Sequence, residues 1–281
     1  MVKEYQHLKI EDCGHLVICV LCNPPTHTFT SKGVLEVHDF LDQMEKKEDL
    51  RVLAFTGEGE DVFIKHYEVG ELAASAEKNI SEGNEGNSDT SAPVELHNFH
   101  KMLLRLRELN AIVVAGINGN TAGGGCEFSL GCDLRIMSDG PFAIGLPETS
   151  VGILPGGGGS QRLARLIGSS RALDLILHAR LLSPGQALDF GIVNKLVEHE
   201  NFYEELVSYC SDLASRAPIA LRQVKKIIHQ GLDKTLEEGL LMEQEAFDIT
   251  MRSNDAAKAM RSMLDTEKDI EERTQFKWEG N

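Results

Sequence analysis

Short apolar runs alternate with segments of helical spacing along much of the chain. Runs rich in apolar and β-branched residues predict strands at residues 3–10, 15–21, 51–56, 111–115 and 132–137. Apolar residues that recur every three or four positions predict helices at residues 30–44 and 94–109. Strands that alternate with helices in this way favour an α/β layered core.

The first predicted helix has a recognisable start, because Thr30 or Ser31 can cap its free backbone N–H groups. Beyond Gly168 the pattern becomes helical throughout, which predicts helices at residues 169–178, 201–215, 218–230, 232–250 and 254–264. The C-terminal third is therefore expected to be all-helical. It is either a subdomain or an oligomerisation layer.

One polar segment, at about residues 77–93, interrupts this organisation. It consists mainly of Glu, Asn, Ser, Gly and Lys and cannot bury much apolar surface. We expect a mobile loop or insertion here. A solvated connection is the simpler interpretation, and a lid over an active site is the alternative.

Composition narrows the choice of partners and compartment. A formal net charge of −16 disfavours binding to nucleic acid or to an anionic membrane surface. The longest apolar run, residues 16–22, is too short to span a bilayer. No secretory or Arg-rich targeting pattern opens the chain, and the six cysteines have no framework spacing. These features predict a cytoplasmic protein with reduced thiols and no membrane partner.

The most informative stretch runs from a predicted buried strand into a glycine-rich turn and a helix that begins near Gly124. Backbone N–H groups at a helix start lack intrahelical partners, and the helix dipole adds partial positive charge there. Such a turn can stabilise an anion, including one that forms during a reaction. Glu127 falls in the first helical turn, so its carboxylate could reach the same pocket. No Gly-Lys-Ser/Thr follows, which argues against a nucleotide-phosphate loop.

A second stretch places Glu148 among apolar residues and glycines. Such surroundings tend to raise the pKa of a carboxyl group, which suits a general acid–base. An exposed loop position is the alternative for this residue. The glycines at 156–159 indicate a loop and helix start with closely packed backbones. His97 and His100 are spaced for one helix face, but no third ligand is within sequence reach, so we expect no metal site.

Five short segments carry a resemblance to a known family: Asn118-Gly119, residues 122–127, Cys132-Asp133, Pro147-Glu148 and residues 152–163. In order and spacing they resemble the signature of the crotonase family, also called the enoyl-CoA hydratase/isomerase family. Residues 21–24 and 182–193 resemble two further segments of that family. The resemblance covers nearly the whole chain apart from the polar segment.

The resemblance implies an enzyme that acts on acyl-coenzyme A thioesters through a stabilised enolate. The backbone N–H groups of Tyr67 and Gly124 would form the oxyanion hole. Glu127 would activate water for attack at Cβ, and Glu148 would deliver a proton to Cα. Both carboxylates together favour a hydro-lyase that converts a 2-enoyl-CoA into a 3-hydroxyacyl-CoA. The alternatives are C–C bond hydrolysis, thioester hydrolysis, isomerisation, or a family member that binds acyl-CoA without turnover.

The segment around Tyr67 departs from the family pattern. His66 stands in place of glycine and resists strained backbone angles, and Tyr67 stands in place of a small residue. Either side chain could bind substrate, and His66 could act as an acid or base near neutral pH. The alternative is that both only fill space. Lys65, and Lys277 by resemblance, are candidates to compensate the phosphates of coenzyme A.

The implied fold is the crotonase (ClpP-like) spiral, in which stacked ββα units form a right-handed superhelix. Residues 1–200 would form this core, including the insertion at about 77–93, and residues 201–281 would form a helical C-terminal oligomerisation region. Members of the family are usually trimers or dimers of trimers, so we expect a homotrimer or a dimer of trimers. No metal and no bound cofactor are implied, because coenzyme A enters as part of the substrate.

Overall fold

The computed structural model describes residues 4–83, 95–265 and 276–281. The strands are β1 (Leu8–Asp12), β2 (Leu16–Leu21), β3 (Val52–Gly57), β4 (Ile112–Ile117), β5 (Thr121–Ala122), β6 (Leu134–Asp139), β7 (Ile144–Gly145), β8 (Leu181–Leu182) and β9 (Lys195–Glu198). The α-helices are α1 (Ser31–Met44), α2 (Val69–Ser81), α3 (Asn98–Glu108), α4 (Gly124–Gly131), α5 (Gly159–Ile167), α6 (Ser169–Leu177), α7 (Pro184–Asp189), α8 (Phe202–Ala214), α9 (Pro218–Gly231), α10 (Leu236–Met251) and α11 (Asn254–Asp265).

Two sheets organise the chain. The larger has six strands in the order β1-β2-β3-β4-β6-β9, and the smaller has three in the order β5-β7-β8. β1 pairs with β2 antiparallel, and every later pairing in the larger sheet is parallel. Parallel strands need crossover connections, and α1, α3 and α4 lie in those connections. The α/β layered core predicted from the sequence is confirmed.

Apolar groups cover both faces of the larger sheet. On one face Val17 and Cys19 of β2 join the main core, into which α1 and α3 also pack. On the other face Leu16 and Ile18 meet α8 in a second core. Gly116 permits this contact, because a Cβ at that position would lie 2.4 Å from Leu206 Cδ2. Burial on both faces explains why the central strands are continuous apolar runs.

Most predicted elements are present, with shifted ends. Thr30 caps α1, because its hydroxyl accepts a 3.0 Å hydrogen bond from the Gly33 N–H. β1 begins only at Leu8, so the predicted start at residue 3 is wrong. The helices predicted in the C-terminal third are also confirmed. The expectation that this third is all-helical is wrong, because β9 lies within it and pairs with β6 in the larger sheet. No helix in the described ranges is long and apolar enough to cross a membrane.

The prediction of a loop at residues 77–93 is wrong at its start. α2 continues to Ser81, because alanines and glutamates favour a helix even where no residue is buried. Glu68 begins this helix, and its carboxylate accepts a hydrogen bond from the Gly70 N–H. The rest of the predicted insertion, residues 84–93, lies outside the described part of the chain.

Candidate active site

A cavity of about 560 Å³ is lined by residues that follow the carboxyl ends of β3 and β4. The predicted residues His66, Tyr67, Gly124, Glu127 and Glu148 all contribute to its wall. The rest of the wall is largely apolar and includes Val34, Leu35, Val69, Leu72, Phe99, Val151, Ile153 and Leu154. The structure therefore brings together the two glycine-rich stretches and the divergent segment at residue 67.

Asn118 ties the segments that follow β3 and β4 to each other. Its Oδ1 accepts a 3.0 Å hydrogen bond from the Gly57 N–H, and its Nδ2 donates to the Val62 carbonyl at 3.1 Å. Gly119 allows the same close approach, since a Cβ there would lie 2.0 Å from the Asp61 carbonyl carbon. These contacts fix the segment that leads to Tyr67 against the segment that leads to Gly124.

The Tyr67 N–H points into the cavity for a simple geometrical reason. The Phe29 N–H donates a 2.9 Å hydrogen bond to the His66 carbonyl. In a trans peptide the C=O and N–H point in opposite directions. The Tyr67 N–H therefore faces away from Phe29, and it donates no hydrogen bond to any residue that the structure describes.

The Gly124 N–H supplies a second free donor. Gly124 is the first residue of α4 and follows Gly123, whose φ of 50° favours glycine. Within the described ranges, the Gly124 N–H has no acceptor either. A Cβ at Gly124 would lie only 3.0 Å from the Tyr67 nitrogen, so the two donors are neighbours. This pair can bind one oxygen atom that carries negative charge.

Glu127 is held by backbone donors. Its side chain is only 4% exposed, and its Oε1 accepts hydrogen bonds from the N–H groups of Gly157 at 2.7 Å and Gly159 at 2.8 Å. Burial raises the pKa of this carboxyl group, and the two N–H donors oppose that rise. Gly157 leaves no room for a side chain, because a Cβ there would lie 2.6 Å from Glu127 Oε2.

Glu148 is held quite differently. It begins a 3₁₀ turn, Glu148–Val151, and is 8% exposed. Its Oε2 is buried and finds no hydrogen-bond partner among the described residues. Burial raises its pKa to about 7, and the nearby charge of Glu127 contributes to the rise. Glu148 Oε1 lies 3.0 Å from the position of a Cβ on Gly123, which places it beside the start of α4.

His66 keeps an ordinary backbone conformation. The non-glycine residues of the described chain with positive φ are His27 and Ala179. His66 is not one of them, so histidine fits here in place of glycine without backbone strain. Tyr67 projects its hydroxyl toward the first turn of α1, where Ser31 Oγ lies 2.8 Å away, and the hydroxyl also donates to Glu71 at 3.2 Å.

The two predicted lysines lie outside the wall of this cavity. Lys65 is exposed, and its backbone N–H donates to the His27 carbonyl at 2.8 Å. Lys277 precedes Trp278, whose carbonyl accepts a 3.1 Å hydrogen bond from Arg51. Arg51 precedes β3, whereas the cavity follows its other end. The structure of one chain therefore does not bring Lys277 to the cavity.

Sequence reasoning missed the donors that hold Glu127. The run of glycines at 156–159 indicated only close packing, and nothing in it identified the carboxylate that it contacts. His97 was also missed as a neighbour of this loop, and its Nε2 lies 3.1 Å from the Gly156 carbonyl oxygen. His97 stacks on His100 with ring centres 3.9 Å apart. Across the described ranges, no cluster of three or more His, Cys, Asp or Glu side chains could hold a metal ion.

Comparison with known proteins supplies an independent result. The family model described as enoyl-CoA hydratase/isomerase matches residues 15–281. A short-chain-enoyl-CoA hydratase of Clostridium acetobutylicum is 30% identical over 270 residues, which cover 94% of this chain and 97% of that protein. A crotonyl-CoA hydratase of Syntrophomonas wolfei is 26% identical over 269 residues, which cover 94% and 97%.

The fold agrees with this match. The crystal structure of an enoyl-CoA hydratase from Bacillus anthracis superposes with a TM-score of 0.84 at 29% identity, covering 98% of this chain and all of that one. The predicted crotonase fold is thereby confirmed, with its α/β core and helical C-terminal region. The chain belongs to the enoyl-CoA hydratase/isomerase (crotonase) family.

Proposed function

We propose that this protein is a hydro-lyase that adds water to 2-enoyl-CoA thioesters and yields 3-hydroxyacyl-CoA. One observation carries the proposal. Two buried carboxyl groups share one cavity with two backbone N–H groups that have no acceptor among the described residues. Burial raises the pKa of both carboxyl groups, but two backbone N–H donors oppose the rise at Glu127, whereas the pKa of Glu148 reaches about 7. The activity predicted from the sequence also matches the activities named for the relatives.

The thioester oxygen would accept hydrogen bonds from the Tyr67 and Gly124 N–H groups. These donors withdraw electron density from the conjugated double bond and stabilise the enolate as it forms. Removal of one such donor typically costs about 10²–10³ in rate. The reaction needs no further group for this step, and coenzyme A takes part only as a portion of the substrate.

Glu127 is suited to act as the base. The N–H groups of Gly157 and Gly159 stabilise its ionised form, so its free oxygen can accept a proton from water. The oxygen of that water then forms a bond with Cβ, and the π electrons move to the thioester oxygen as an enolate.

Glu148 is suited to act as the acid. Its pKa of about 7 keeps much of it protonated near neutral pH, and its Oε2 has no hydrogen-bond partner among the described residues. As the enolate collapses, Glu148 would release its proton to Cα. The proton that Glu127 has taken then passes to Glu148, directly or by exchange with solvent, so one water molecule has been added and both carboxyl groups are restored.

The test is hydration of crotonyl-CoA and longer 2-enoyl-CoA thioesters, followed as loss of the enoyl absorbance. We expect turnover by the wild-type enzyme, with 3-hydroxyacyl-CoA as the product. Release of free thiol would instead indicate thioester hydrolysis. A shifted double bond would indicate isomerisation, and binding without turnover would indicate a non-catalytic member. Inactivity across all chain lengths would exclude hydration.

We also propose that the chain assembles as a homotrimer or a dimer of trimers in the cytoplasm. Its C-terminal helices carry exposed apolar side chains that an interface would cover, such as Leu232 at 83% and Leu236 at 80% exposure. All six cysteines are free, as in a reducing compartment. Light scattering on the purified protein tests the assembly, and a monomeric mass would contradict it.

A further inference from the structure

We propose that His66 is a positioning residue that clamps the peptide unit carrying the Tyr67 N–H. The inference rests on the proposed role of that N–H as an oxyanion donor. In this role the imidazole neither binds substrate nor transfers a proton.

The clamp is a hydrogen bond from a side chain to the next residue. His66 Nδ1 lies 2.7 Å from the Tyr67 carbonyl oxygen. A carbonyl oxygen only accepts, so Nδ1 carries the proton and donates. In the neutral ring this fixes the tautomer and leaves Nε2 without a proton.

This bond bridges the peptide that joins His66 to Tyr67. On the other side of the same peptide, the Phe29 N–H donates to the His66 carbonyl at 2.9 Å, and the Glu68 N–H donates to the Phe29 carbonyl at 2.7 Å. The carbonyls of residues 66 and 67 and the N–H of residue 68 are therefore all engaged. Only the Tyr67 N–H is left free, with its direction fixed from both sides.

The two oxyanion donors need this help to different degrees. Gly124 belongs to α4, so the helix itself holds its N–H. Tyr67 lies outside any helix or strand and forms only an isolated bridge with Phe29. The hydrogen bond from His66 thus orients the Tyr67 N–H, whereas helix α4 orients the Gly124 N–H.

Three variants separate the clamp from other roles of the ring. The amide nitrogen of His66→Asn can donate to the Tyr67 carbonyl as Nδ1 does. His66→Gln instead places an amide nearer to Nε2, and His66→Ala removes both. Two readouts are compared in each variant. One is kcat and KM for crotonyl-CoA, and the other is the absorbance maximum of a bound, conjugated dienoyl-CoA, which moves to longer wavelength when the thioester oxygen is polarised.

We expect His66→Ala and His66→Gln to lower kcat by about 10–10²-fold, with little change in KM. This is less than the roughly 10²–10³-fold cost of a lost oxyanion donor, because the Tyr67 N–H is loosened and not removed. The red shift of the bound dienoyl-CoA should shrink in parallel. His66→Asn should restore both to within about threefold of wild type. The pH profile of His66→Asn should match that of wild type, because the imidazole transfers no proton in this proposal.

Several results would overturn the clamp. His66→Ala could keep the full rate and red shift, or His66→Asn could be as impaired as His66→Ala. A lost limb in the pH profile of His66→Asn would assign the ring to proton transfer instead. Thermal unfolding of each variant verifies that it is folded. A wild-type protein that produces no red shift would overturn the oxyanion site itself, which is a different failure from that of the clamp.

Discussion

Glu127 and Glu148 lie in one cavity, and burial raises the pKa of both, but only Glu127 has two neighbouring N–H groups that oppose the rise. Glu127 accepts two hydrogen bonds from backbone N–H groups, whereas Glu148 Oε2 has no partner among the described residues. Both carboxyl groups are buried, so burial alone cannot separate them. The difference lies in a few backbone N–H groups, and the proposed division into base and acid between two identical side chains rests on it.

The largest effect is expected when either carboxylate is removed. Glu127→Gln and Glu148→Gln should each lower kcat for hydration by about 10²–10⁴-fold, because each loses one proton transfer. Steady-state assays with crotonyl-CoA measure this. Glu82→Gln, on the exposed C-terminal cap of α2, is the control and should retain the wild-type rate. Equal activity of Glu148→Gln and wild type would remove Glu148 from the reaction.

A second substitution disturbs only the backbone that holds the Glu127 carboxylate. Gly157→Ala puts a Cβ 2.6 Å from Glu127 Oε2 and 2.7 Å from Phe99 Cε1, so the carboxylate must move. We expect kcat to fall by about 10²-fold, the usual cost of a displacement near 1 Å. Gly156→Ala is the matched control, since its Cβ would meet only the Leu154 carbonyl oxygen at 3.9 Å. If both variants lose activity equally, the loop matters through its flexibility and not through Glu127.

The pH dependence of kcat tests the proposed role of Glu148. Its protonated form is the acid, and its pKa is about 7. Hydration should therefore fall by about tenfold for each pH unit well above 7, as Glu148 loses its proton. The measurement is kcat for crotonyl-CoA between mildly acidic and mildly basic pH. This limb should be absent from the residual activity of Glu148→Gln, and a limb that persists would belong to another group.

The smallest effect concerns stability. The pKa of Glu148 is raised from 4.5 to about 7. Its contribution to stability is therefore complete below pH 4.5 and is lost as pH rises through about 7. Glu148→Gln escapes this loss, so its unfolding midpoint relative to wild type should rise between pH 5 and pH 8. Cavity water screens part of the charge, and we expect about 1 kcal/mol. A constant difference across this range would contradict the raised pKa.

The sequence was sufficient for the parts of the site that are local in the chain. Gly124 and Glu127 lie within one helical turn, so the helix start predicts their shared location. The apolar and glycine neighbours of Glu148 favoured a raised pKa but left an exposed loop position open, and the structure shows that the residue is buried. The family and its fold were also predicted from motif order, and the comparisons confirm both.

Other parts depend on contacts between distant segments. The bonds from Gly157 and Gly159 to Glu127 join residues 30 and 32 positions apart, and no local pattern specifies such a pair. The helical course of residues 77–81 was missed because α2 buries none of its residues, so polarity alone suggested a loop. Whether His66 could replace glycine also stayed open, because sequence cannot show that the segment avoids positive φ.

Helix α8 has a consequence for the synthesis of the protein. It closes the second face of the sheet, where Leu206 and Cys210 cover Leu16 and Ile18 of β2. A ribosome makes β2 early and α8 almost two hundred residues later. A nascent chain that has not yet released residue 214 therefore exposes an apolar sheet face, and such a face invites aggregation or chaperone binding. Helix α8 is thus needed to protect the first strands.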